Sequence, residues 1–150
     1  MSLLCHGTTV ATNAILTDEL ADIALVTTRG FRDVMGGYRQ SSRPDVYSLS
    51  PERPKDLVPR HARIEADERM DSHGRVLTPL TADEVDRVVA EVAAQRPRAV
   101  AVSFLFSYLN DAHEKQIGQA LEAALPDVPV TLSSEVAREF REYPPARRQP

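Results

Sequence analysis

The chain has 150 residues, 42% hydrophobic and 27% charged, which suits one globular domain with a real core and argues against disorder throughout. Eighteen basic residues against 22 acidic ones give a net charge of -4, and aromatics are 5% with no tryptophan. That balance speaks against a general nucleic-acid surface or a stacking platform for single strands. No apolar run approaches the ~20 residues a membrane helix needs. The opening residues lack the basic-then-apolar pattern of a secretory signal, and the single cysteine, Cys5, has no internal disulfide partner. A cytoplasmic location is expected.

Helical spacing of Ala11, Ala14 and Ile15, with Thr8 or Thr9 as cap, predicts a first helix over 8–18. Residues 22–28 are short, apolar and β-branched, so they predict a buried strand. Arg29-Gly30 ends it, and a helical turn is expected over 31–35. Pro44, Pro51, Pro54 and Pro59 punctuate residues 36–60. Each removes a backbone donor, which predicts a long surface loop, a feature often tied to function.

Residues 63–70 alternate. Ile64, Ala66 and Met70 fall on one face, and Arg63, Glu65, Asp67 and Arg69 on the other, as in a half-exposed strand. A turn at 71–74 should return the chain through 75–77 as an antiparallel hairpin. Thr81 and Glu84 form a capping box before Val85, Val88, Val89 and Val92 at helical intervals. Residues 99–106 are the most strand-like in the chain and apolar on both faces. Asn110 is placed to cap a helix carrying Ile117, Ala120, Leu121, Ala124 and Leu125, ended by Pro126. A short strand over 128–132 and a last helical stretch from Ser133 or Ser134 to Phe140 follow. The alternation of double-sided strands and helices predicts an α/β fold, a mostly parallel sheet flanked by helices, with the antiparallel hairpin at an edge.

No phosphate-binding loop with Lys-Ser/Thr, no GxGxxG and no HExxH is present, and one cysteine excludes a thiolate metal site. The informative segment is His6-Gly7-Thr8-Thr9-Val10-Ala11-Thr12-Asn13. Gly7 admits close backbone approach, Thr8 and Thr9 put hydroxyls and N–H groups at a helix start that favours anions, and His6 can supply a proton or a hydrogen bond. A capped helix with a locally bonded histidine is the plainer reading. Arg39 and Arg43, in the Pro-rich segment, suit bidentate bonds to phosphate or carboxylate, or an ordinary solvated surface. The residues read as structural are Cys5 (small and buried), Phe104 (core) and Asn110-Asp111 (cap). His113 is expected exposed in a first helical turn, and Asp67, Glu68 and Asp71 are expected on a charged strand face and turn. No catalytic residue and no metal ligand can be assigned.

Six blocks in order, HGTTVATNAIL, ALVTTRGFRDV, RQSSRPDVY, ERMDSHGRV, AVAVSFLFSYLNDAHE and SSEVAREFREY, resemble the N-terminal domain of the hydantoinase A/5-oxoprolinase family, which includes N-methylhydantoinase A and acetone and acetophenone carboxylase subunits. The resemblance covers residues 4–143, with 144–150 as tail or linker. It implies part of an actin/sugar-kinase/Hsp70-like (ribonuclease H-like) domain. It also implies an ATP- and Mg²⁺-dependent cyclic amidase that phosphorylates the amide oxygen of hydantoin or 5-oxoproline so that water opens the ring. His6, Gly7, Thr8, Thr9, Asn13, Arg39 and Arg43 would then face nucleotide or substrate. The family's upstream phosphate loop and its second lobe have no counterpart in these residues. The chain is therefore expected to be a domain fragment, inactive alone and with no cofactor bound. Its expected partners are the rest of a hydantoinase A chain, a hydantoinase B-type subunit or domain, and further copies of itself. Alternatives are a non-catalytic α/β partner-binding module, a piece of a ketone carboxylase assembly, or a small-ligand sensor.

Overall fold

In the computed structural model the described residues are 22–34 and 58–136. The helix expected at 8–18, nearly all of the Pro-rich loop, residues 137–140 of the last helical stretch and the tail lie outside them.

The apolar, β-branched run forms β1 (Ile23–Thr28). A 3₁₀ turn (Arg60–Ala62) leads into β2 (Arg63–Ala66). Two short strands follow, β3 (Arg69–Met70) and β4 (Val76–Thr78). Then come α1 (Ala82–Gln95), β5 (Ala99–Ser103), α2 (Ala112–Ala124), β6 (Val130–Leu132) and the single turn α3 (Ser133–Val136). β1, β2, β5 and β6 form one parallel sheet in the order β2-β1-β5-β6, and β3 pairs antiparallel with β4 in a sheet of two. The expected α/β class, parallel sheet and small antiparallel pair are all present. No helix among the described residues is long and apolar enough to cross a membrane.

Local chemistry sets the helix ends. Thr81 Oγ1 accepts the Glu84 N–H at 3.3 Å, which satisfies one free donor of α1. At its other end Arg96 takes the left-handed conformation (φ 50°) before Pro97, which cannot continue a helix. Asn110 Oδ1 accepts the Ala112 N–H at 3.1 Å at the start of α2. Val85, Val88 and Val92 of α1 pack with Ile117 and Leu121 of α2 on one face of the sheet, against Ala24, Val26, Ile64, Ala66, Val100, Val102 and Leu132. Leu25 faces the opposite side with Val58 and Ala62.

Three expectations need correction. The alternating run 63–70 is not one strand: β2 joins the parallel sheet, the chain breaks at Asp67-Glu68, and antiparallel pairing begins only at Arg69. Arg63 does not lie on a wet face. It is 2% exposed, because both sides of β2 are covered, and its Nε donates to the Val58 carbonyl at 2.9 Å. The strand 99–106 stops at Ser103, and turns follow in which Phe106 has φ 63°, a conformation no strand tolerates.

Burial assigns stability to the α1–α2 face. Leu121→Ala, at a fully buried position, should cost about 2–5 kcal/mol. Leu77→Ala, at a position 63% exposed, should stay within about 0.5 kcal/mol of the parent. Urea unfolding midpoints of the two variants test the contrast.

Candidate functional site

Every strand of a parallel sheet ends on the same rim. Here the chain steps from β1 to β2 on one side, then crosses to β5 and β6 on the other, so the reversal falls between the ends of β1 and β5. In open α/β sheets such a reversal at the carboxyl rim is where ligands gather. At this place the structure holds a cluster of buried polar side chains.

Thr28, the last residue of β1, accepts the Leu105 N–H at 3.0 Å and donates its own proton to Glu68 Oε1. The other oxygen of Glu68 meets His113 Nδ1 at 2.7 Å. His113 is therefore not exposed as expected from its place in a first helical turn. It is 6% exposed, and Glu68, expected on a charged strand face, is 2% exposed. Each makes the other's burial tolerable.

One residue along α2, Glu114 is 1% exposed. Its Oε1 accepts the Phe104 N–H at 3.0 Å and the Ser133 hydroxyl at 2.7 Å, and its Oε2 accepts the Ser134 N–H at 2.9 Å. Ser107 Oγ lies 3.1 Å from Ser133 Oγ, and since the Ser133 proton is spent on Glu114, Ser107 donates. Glu114 thus ties the segment after β5 to the segment after β6.

A charged hollow of about 230 Å³ sits beside β2, lined by Arg29, Arg32, Glu65, Arg87 and Glu91. Its arginines are neutralised within the chain. Arg29 pairs with Asp67 at 2.8 Å, Arg32 with Glu65 at 3.9 Å, and Arg87 with Glu84 at 2.7 Å and Glu91 at 2.6 Å. Glu84 also accepts the Asp67 N–H at 2.7 Å instead of closing the capping box onto Thr81. The Arg87 hydrogen bond, helped by that N–H, lowers the Glu84 carboxyl from 4.5 to about 2 against the opposing effect of burial.

His6, Gly7, Thr8, Thr9, Asn13, Arg39 and Arg43 all lie outside the described residues. Among the described residues no group of three or more His, Cys, Asp or Glu side chains could hold a metal ion. The two buried carboxylates of the rim already take hydrogen bonds from neighbouring donors. The described residues therefore do not fit a Mg²⁺–triphosphate cradle. Their chemistry is to fix the loops that follow β1, β5 and β6. Sequence reasoning missed Thr28, Glu68, His113, Glu114 and Ser133; the one local signal was Glu68, which breaks the alternation of its strand.

Three substitutions probe this arrangement. Glu114→Ala strands two buried N–H groups and should cost about 2–4 kcal/mol, whereas Glu122→Ala on the exposed side of α2 should be near neutral, both read from denaturant midpoints. For Glu84 the folded value lies below the unfolded one. Its contribution is therefore complete above about pH 4.5 and disappears as pH falls toward 2. In a pH series of melting temperatures, Glu84→Gln should lower stability near neutrality and flatten the loss over that acid window.

The chain is 38% identical to an uncharacterised protein of Methanocaldococcus jannaschii, over 95% of this chain and 21% of that protein. It is 34% identical to the caprolactamase subunit alpha of Pseudomonas jessenii, over 94% of this chain and 20% of that subunit. It is 29% identical to the acetophenone carboxylase gamma subunit of Aromatoleum aromaticum, over 95% of this chain and 21% of that subunit. The crystal structure of the ATP-dependent caprolactamase from Pseudomonas jessenii superposes with a TM-score of 0.78 at 33% identity, covering 91% of this chain and 20% of that one. The chain therefore spans about a fifth of the length of these relatives. Residues 1–125 match the model of the hydantoinase/oxoprolinase N-terminal region, and the chain belongs to that family.

Proposed function

We propose that this chain supplies one wall of the site of an ATP-dependent enzyme that opens cyclic amides. The observation that carries the reading is the likeness to an ATP-dependent caprolactamase over nearly the whole chain, in sequence and in fold. The chemistry is consistent with it. A lactam carbonyl is a poor electrophile; moving the γ-phosphoryl group of ATP to its oxygen, with ADP released, would make the carbon open to attack by water so that the C–N bond can break, and such transfer needs positioning and charge neutralisation. His6, Gly7, Thr8, Thr9, Asn13, Arg39 and Arg43 are the residues of this chain proposed to face nucleotide or substrate, with ATP and Mg²⁺ as cofactors. The rim residues Thr28, Glu68, His113 and Glu114 hold the strand ends that would frame them. The rest of a longer chain and a second subunit would complete the site.

A second reading, carboxylation of a ketone, is favoured by the 29% identity to the acetophenone carboxylase subunit. ATP hydrolysis by the full-length parent protein separates the two. Stimulation by caprolactam, hydantoin or 5-oxoproline without bicarbonate supports ring opening. Stimulation by a ketone only with bicarbonate supports carboxylation, and indifference to all of them overturns both. The isolated 150-residue chain should show no turnover.

A further inference from the structure

A second hollow, of about 290 Å³, lies at the amino end of the sheet. Its walls are the start of β1, the 3₁₀ turn before β2 and the end of α1. Ile23, in its wall, and Thr28 stand at opposite ends of β1, roughly 17 Å apart at ~3.3 Å per residue, so this hollow is separate from the rim cluster. Local geometry shapes it. Arg96 turns the chain out of α1 with φ 50°, and Pro97 keeps the helix from going on. The Arg98 N–H then donates to the Asp22 carbonyl at 2.8 Å, and Gln95 Nε2 donates to the His61 carbonyl at 3.4 Å, which ties two of the walls together. Ile23, Ala62 and Pro97 give the hollow apolar surface, and its volume sits at the lower edge of small-ligand sites.

The charges of the two hollows are disposed in opposite ways. Beside β2 every lining arginine pairs with a carboxylate of the chain. At the amino end Asp22 and Arg96 both line the wall, both are exposed, and among the described residues neither forms an ion pair, with the other or with any third group. A simple anion would answer Arg96 and leave Asp22 alone; a simple cation would do the reverse. We propose that this hollow binds a small amino acid as its zwitterion, with the carboxylate at Arg96, the ammonium at Asp22 and the methylenes over Ile23, Ala62 and Pro97. Opening a lactam with water leaves one carboxylate and one ammonium on the same molecule. On the function proposed above, which this last link rests on, the product of the parent protein is a ligand of this class, whereas the binding itself does not require that function. Charge pairs at an open site are weak and screened by salt, so the affinity is modest.

Calorimetric titration of the 150-residue chain at low salt tests it. The probes are 6-aminohexanoate and glutamate, the amino acids that ring opening of caprolactam and 5-oxoproline would give, with hexanoate and hexylamine as one-charge analogues. The better amino acid should bind at least about fivefold more tightly than either analogue. Arg96→Asn, which keeps a residue tolerant of the left-handed backbone, should weaken the amino acid and hexanoate about fivefold and leave hexylamine unchanged, which also shows that the variant is folded. Asp22→Asn should do the reverse. Arg98→Asn, which removes an exposed charge outside the hollow, should change none of them. Absence of heat with both amino acids at millimolar concentration overturns the proposal. So does an analogue that binds as well as the amino acid, or a loss in Arg98→Asn equal to that in Arg96→Asn. Because the chain alone is titrated, these outcomes are independent of whether the parent protein opens cyclic amides, which its ATP hydrolysis decides.

Discussion

A carboxylate can be taken out of water only where donors replace the water it loses. Two carboxylates at the carboxyl rim of the sheet meet that condition, and the arrangement of the rim follows from them. Glu114 accepts from the backbone after β5, from Ser133 and from the backbone of α3. Glu68 accepts from Thr28 at the end of β1 and lies 2.7 Å from His113 Nδ1 at the start of α2. The core beneath is ordinary valine and leucine packing that many sequences could supply. The polar rim is directional, and it ties the segments that follow β1, β5 and β6 to one another.

Much of the framework was legible because it is written in short range. The β-branched run of β1, the threonine cap of α1 with Val85, Val88 and Val92 behind it, the glycine turn at Gly74 and the small antiparallel pair all follow from neighbours within a few positions. The site was not legible in this way. Glu68 meets Thr28 across 40 residues and His113 across 45, and nothing in the local pattern of either partner records the other. A histidine in a first helical turn, next to Asp111 and Glu114, reads as solvated until a carboxylate from a separate hairpin is brought against it. Arg63 misled for a related reason: alternation says which residues share a face, not whether that face is wet. The six ordered blocks carried the family where single residues did not, and the family is what the relatives bear out.

The described rim is consistent with how ligand sites are built on α/β sheets. Rigid strand ends hold the loops, and the loops do the contacting. Here the strand ends are tied to one another by hydrogen bonds through Thr28, Glu68, His113 and Glu114.

The placement of Glu68 has a mechanical corollary. It sits in the two-residue break between β2 and β3, so the hairpin hangs from the main sheet at the same point where its carboxylate grips Thr28. Thr28 in turn holds the Leu105 N–H. Those two bonds join the hairpin to the backbone leaving β5 by a route that lies outside the valine core.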